Sequence, residues 1–135
     1  MLVETHDTEA LSPPPRARLL LVEDDVDIRE TLSDALGWEG YTVEVAAHGR
    51  AALDWLAKGT HVDVILLDLM MPVMNGWEFR RAQLADPALA NIPVVVLSAS
   101  APDSCRPDRY LPKPFSVERL LAVLDELVAK APLPV

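Results

Sequence analysis

An alternation constrains this chain more than any other feature: short, nearly continuous apolar runs take turns with stretches whose apolar residues recur at helical spacing. Residues 18–22 (RLLLV), 41–46, 62–67 (VDVILL) and 92–97 (IPVVVL) read as strands, the most apolar of them too uniform for a sheet with one wet face. Residues 25–36 carry Ile28, Leu32, Ala35 and Leu36 at helical spacing, with Gly37 where a C-terminal cap belongs. Residues 50–57 read as a short helix closed by Gly59, and residues 76–84 as a weakly periodic one. Tyr110 and Leu111 form a last extended piece. Beyond it, Val117, Leu120, Leu121, Leu124, Leu127 and Val128 make one stripe behind Ser116, a good N-cap. Strand and helix alternating about five times dictates an α/β fold, with parallel strands, right-handed crossovers and helices on both faces of the sheet.

The chain of 135 residues, half of them apolar, suffices for one domain with its own core. Residues 1–16, with three consecutive prolines, read as a disordered tail, residues 17–130 as the domain and residues 131–135 as a C-terminal tail. A formal net charge of −9 argues against nucleic acid or an anionic membrane as partner, because both would be repelled. Cys105 is the single cysteine, so no internal disulfide forms. No secretory signal is recognisable, and no apolar run approaches the ~20 residues that span a bilayer, so a soluble cytoplasmic location is expected.

Ligands of such sheets bind at the carboxyl ends of the strands. Glu23 and Asp24 directly follow the first strand and Asp68 the third. If those strands are neighbours, three carboxylates converge, and their repulsion calls for a proton or a cation. Oxygen donors at this density suit a hard divalent ion, above all a partly hydrated Mg²⁺. The plainer reading is that acids after strands only cap the next helix, as Asp24 or Asp25 could. Ser98, which ends the fourth strand, and Lys113, which follows the fifth, weigh against it. A carboxylate that takes up a phosphoryl group needs a metal, a cation and a hydrogen-bond donor around the new charge.

The segments LLLVEDDVDIRETL, VILLDLMMPVMNGWEF, VVVLSAS and YLPKPF resemble those of bacterial two-component response regulator receiver domains, chemotaxis receivers among them. The resemblance implies a flavodoxin-like, doubly wound five-stranded parallel sheet of order 2-1-3-4-5. It implies Asp68 as phosphoacceptor, and Mg²⁺ held by Glu23, Asp24, Asp68 and the backbone carbonyl of Met70. By the same resemblance Ser98 is the switch hydroxyl, Lys113 the site lysine and Tyr110 the aromatic that follows Ser98 inward, with a cis bond between Lys113 and Pro114. The phosphodonor it implies is a histidine kinase or a histidine phosphotransfer protein. The module itself is expected to be a signalling domain rather than an enzyme, passing its state to a downstream protein as a monomer or weak homodimer.

The chain departs from the family between Ser98 and Lys113, where about two helical turns are missing and Pro102 and Pro107 interrupt the rest. The fourth helix is therefore predicted to be absent or reduced to a turn, leaving an uncovered sheet face for protein docking. Met70 is apolar where some relatives carry a polar residue that orients water, which suggests slow self-dephosphorylation. His6, His48 and His61 share no spacing and read as surface or loop residues, Cys105 as an incidental exposed thiol, and Trp38, Trp55 and Trp77 as packing residues at helix ends. Trp77 could also gate the acidic edge.

The leading expectation is a stand-alone receiver, since only APLPV follows Lys130. The alternative is a phosphorylation-independent interaction module that binds through the loop of residues 99–109; the intact set of Glu23, Asp24, Asp68, Ser98 and Lys113 disfavours it. A flavodoxin-type electron carrier would want a neutral, hydroxyl-rich first loop where Glu23, Asp24 and Asp25 stand. A haloacid-dehalogenase-type phosphatase would want an acid where Met70 stands.

Overall fold

The computed structural model describes residues 16–100, 102 and 104–129. Five strands alternate with helices: β1 (Arg18–Val22), α1 (Val26–Trp38), β2 (Thr42–Ala46), α2 (Gly49–Leu56), β3 (Val64–Leu67), α3 (Gly76–Ala85), β4 (Val94–Ser98), β5 (Arg109–Pro112) and α4 (Val117–Ala129). All pairings are parallel and the order is β2-β1-β3-β4-β5, so the flavodoxin-like topology is as the resemblance implied. The register sets Leu19 against Val43 and Val64, and Leu67 against Val96, aligning the carboxyl ends of the strands along one edge.

Alternate strand residues feed two cores. Leu20, Val22, Ile65, Leu67, Val94 and Val96 face the layer that holds Ala52 and Leu56 of α2 and Phe79 of α3. Leu19, Leu21, Val64, Leu66, Val95 and Leu97 face Leu32 and Leu36 of α1 and Leu120 and Leu124 of α4. Burial on both sides is why β3 is apolar throughout and why β1 and β4 are apolar but for Arg18 and Ser98 at their ends.

The helix ends follow local chemistry. Asp25 caps α1 by accepting the Ile28 N–H at 3.0 Å, and Ser116 accepts the Arg119 N–H at 3.1 Å ahead of α4. The predicted stop at Gly37 is corrected: α1 runs through it, and Gly40, at φ +97°, turns the chain instead. Trp38 is also not a packing residue, being 88% exposed. At ~100° per residue it lies roughly opposite Leu36 on the helix.

No helix is formed by the described residues between β4 and β5, as the shortened sequence predicts. The sheet beneath is nevertheless closed, which corrects the expected bare face: Val94 and Val96 are fully buried. Cys105, expected at the surface, is 1% exposed and belongs to their core, because the loop folds it inward where a helix would have packed. Arg80 of α3, itself buried, holds that loop through hydrogen bonds to the carbonyls of Cys105 (2.9 Å) and Arg106 (2.7 Å).

The calls for tails at 1–15 and 131–135 lie outside the described residues. Arg16, placed last in the N-terminal tail, is bonded here: its N–H reaches the Gly40 carbonyl at 3.0 Å, and its guanidinium pairs with Asp125 and stacks over Tyr41. Tyr41 also donates to Asp125, and its pKa is pushed up to about 12, mainly by burial.

Candidate functional site

β1, β3, β4 and β5 bring the residues at or just after their carboxyl ends to the same place. β1 and β3 are hydrogen-bonded neighbours, so Glu23 and Asp24 come beside Asp68, with oxygens of all three within 4.8 Å of one another. Glu23 and Asp68 are buried, while Asp24 opens to solvent. Lys113, following β5, reaches across with its Nζ 2.9 Å from Glu23 Oε1 and 3.5 Å from Asp68 Oδ1. The Lys113–Pro114 bond is cis.

The site's electrostatics follow from this crowding. Burial pushes the Glu23 carboxyl up, with Asp68 adding repulsion and Lys113 opposing both. Burial likewise raises Asp68, opposed by Lys113 and reinforced by Asp24. For Lys113 burial acts downward, but the hydrogen bond and charge of Glu23 and the charge of Asp68 outweigh it and the pKa rises. Three carboxylates against one ammonium leave two negative charges in the site. Oxygen-only donors with that residual charge fit a hard divalent cation. Glu23, Asp24 and Asp68 are the residues that could hold it.

Ser98, at the end of β4, is buried, and its hydroxyl accepts the Ser100 N–H at 3.0 Å. Its carbonyl accepts both the Lys113 N–H and the Tyr110 hydroxyl at 3.1 Å, so lysine, serine and tyrosine are joined through one backbone group. Tyr110 is 36% exposed on β5. Met70 stands at the rim, with its side chain exposed.

The loop after Asp68 is built for close approach. A Cβ on Gly76 would lie 2.5 Å from the Asp68 carbonyl oxygen and 2.7 Å from Leu69 Cα, so only glycine lets α3 start against the end of β3. Asn75 and Glu78 form a reciprocal capping box there, both bonds 2.9 Å. Val73, two residues before Asn75, has φ +67°, a costly conformation for a β-branched residue.

Sequence reasoning passed over two cations. Arg29 donates to the Glu23 carbonyl at 2.9 Å; its only signal was being the one basic residue in the acidic stretch EDDVDIRE. Arg80 sits on the buried face of α3, where an arginine between Phe79 and Gln83 could have been noticed. Of the histidines, His48 caps α2, accepting the Ala51 N–H at 3.2 Å, and exposed His61 pairs with Asp63; His6 lies outside the described residues. Trp55 and Trp77 are half-buried against the core on the α2–α3 side. No helix among the described residues is long and apolar enough to cross a membrane.

A doubly wound parallel sheet with three acids and a lysine at its strand ends defines a class of α/β modules whose ligand site lies at the carboxyl edge. Comparison with known proteins narrows it. Residues 19–125 match the model of the response regulator receiver domain family. Response regulator MprA of Mycolicibacterium vanbaalenii is 41% identical over 120 residues, covering 84% of this chain and 51% of its own. The alkaline phosphatase synthesis transcriptional regulatory protein SphR of Synechococcus elongatus is 34% identical, covering 96% of this chain and 57% of its own. This chain thus spans about half the length of these relatives. Among solved structures, the signal receiver domain of a signal transduction histidine kinase from Syntrophus aciditrophicus superposes with TM-score 0.79 at 30% identity, covering 88% of this chain and 96% of its own. Chemotaxis response regulator CheY4 of Vibrio cholerae superposes with TM-score 0.74 at 36% identity, covering 82% and 98%. The chain belongs to the response regulator receiver domain family, and is a two-component signalling module.

Proposed function

We propose that Asp68 accepts a phosphoryl group from a phosphohistidine on a histidine kinase or histidine phosphotransfer protein, and that the acyl phosphate alters contacts with a downstream protein. The observation that carries this reading is the placement of Lys113 between Glu23 and Asp68, 2.9 and 3.5 Å from their oxygens. An ammonium so placed can neutralise a phosphoryl oxygen as the Asp68 oxygen bonds to phosphorus and the P–N bond to the donor histidine breaks, the histidine leaving with the bonding pair. A bound Mg²⁺, held by Glu23, Asp24, Asp68 and the Met70 carbonyl, would supply further charge neutralisation to the transferred group. Ser98 gives up its bond to the Ser100 N–H to reach a phosphoryl oxygen, and Tyr110, tied to the Ser98 carbonyl, is the first side chain to respond. The acidic charge supports a protein as the direct partner of this domain.

Incubation with phosphoramidate or acetyl phosphate and Mg²⁺, followed by intact-mass spectrometry, tests the reading. One added phosphoryl group is expected on the unaltered chain and none on Asp68→Asn. An unaltered chain that stays unmodified would overturn it.

A further inference from the structure

Glu23 is held at four points. Its N–H donates to the Ala46 carbonyl at 3.0 Å, Oε1 accepts Lys113 Nζ at 2.9 Å, Oε2 accepts the Asp25 N–H at 3.2 Å, and its carbonyl accepts Arg29 Nη1 at 2.9 Å. Asp24 is different: its side chain is exposed, and its carbonyl lies 3.5 Å from the same Arg29 Nη1. One guanidinium nitrogen therefore bonds the carbonyl of the peptide that joins the two acids and also reaches that of the next peptide. The direction of the Asp24 carboxylate depends on the orientation of the first of these peptides.

Arg29 is itself fixed from behind. Its N–H donates to the Asp25 carbonyl at 2.9 Å, closing the first turn of α1, and Asp25 caps the same turn through Ile28. Loop, cap, helix turn and guanidinium form a closed circuit that begins and ends at the metal-type acids. A planar guanidinium on a rigid turn restricts a peptide plane in a way that a single flexible ammonium does not.

From this circuit we propose that Arg29 is a positioning residue for the cation site, holding the Glu23–Asp24 peptide so that both carboxylates face Asp68. The inference rests on the reading that these three acids bind Mg²⁺. It carries an unusual sign. On Coulomb grounds alone, deleting a positive charge beside an acidic cluster strengthens binding of a divalent cation. Positioning demands the reverse, because carboxylates freed to separate bind the ion less well.

Calorimetric titration with MgCl₂ of the unaltered chain, Arg29→Gln and Arg29→Lys decides between them, with thermal melts in EDTA to verify that each is folded. The expected result is a Kd raised roughly tenfold or more in Arg29→Gln, the scale seen when a residue orienting metal ligands is lost, and a smaller rise in Arg29→Lys. An unchanged or lower Kd in Arg29→Gln overturns the inference while leaving the proposed function standing. Should Arg29→Gln fail to fold, Arg29→Lys decides, and an affinity equal to that of the unaltered chain overturns it. Absence of Mg²⁺ binding in the unaltered chain overturns the inference together with the reading beneath it.

Discussion

Asp68 is a carboxylate kept 5% exposed beside two other acids, and the fold tolerates it only because Lys113 stands opposite. Burial still wins, so its pKa is raised. Asp68→Asn keeps the shape and removes the disfavoured charge, so without divalent cations at pH 7.5 the variant should be more stable by about 1 kcal/mol, or roughly 3–5 °C in Tm. Calorimetric melts in EDTA check this, and a lower Tm would mean that Lys113 already compensates the charge in full. The acids and Ser98 were legible in sequence because each stands at the end of an apolar run that reads as a strand, whereas Lys113 follows only the short extended piece of Tyr110 and Leu111. Arg29 was not, because its partner is a backbone carbonyl, which no side-chain pattern announces.

Among the elements, α3 was the faintest in sequence for a physical reason. Its buried face is Gly76, Phe79, Arg80 and Gln83, correct helical spacing filled with two polar residues. Arg80 serves the loop that stands in for a helix after β4, and Gln83 the loop that leads into β4. Arg80 bonds the carbonyls of Cys105 and Arg106 and, at 2.7 Å, Gln83 Oε1, while Gln83 Nε2 serves the carbonyls of Leu89 and Ile92. The missing helix was legible from length and prolines; the sealing of the gap was not, since it depends on a distant arginine. Arg80→Met keeps the bulk but leaves the Cys105 and Arg106 carbonyls without their arginine partner, and should cost about 3 kcal/mol. It should also release the loop and speed the reaction of Cys105 with a thiol reagent under native conditions. Urea unfolding and labelling rates measure the two effects; a stable variant with an inert thiol would show that the loop closes without Arg80.

At the scale of the whole molecule, the parallel sheet gathers its conflicting charges at one edge and buries two apolar layers elsewhere, so site and stability are linked through pH. Glu23 and Asp68 have pKa values raised mainly by burial. A raised carboxylate binds protons more tightly folded than unfolded; its contribution is complete below the ordinary value of about 4 and is lost as pH rises through the raised one. Lys113, also raised, keeps its contribution until well above neutrality and so does not affect the range from pH 5 to 8. In EDTA, stability should therefore fall as pH rises above the ordinary carboxylate range. Other titrating groups, in a chain of net charge −9, add their own slope, but that background is common to samples with and without Mg²⁺. The difference between the two isolates the site. An Mg²⁺ held by Glu23, Asp24 and Asp68 would compete with protons for these carboxylates, so its stabilisation, about 1.4 kcal/mol at ten times Kd, should be smallest in acid and grow as pH rises. Thermal melts at matched ionic strength should show Tm curves that diverge with rising pH, and Asp24→Asn should narrow the gap. Curves that run parallel would mean that Mg²⁺ acts somewhere other than at the three acids.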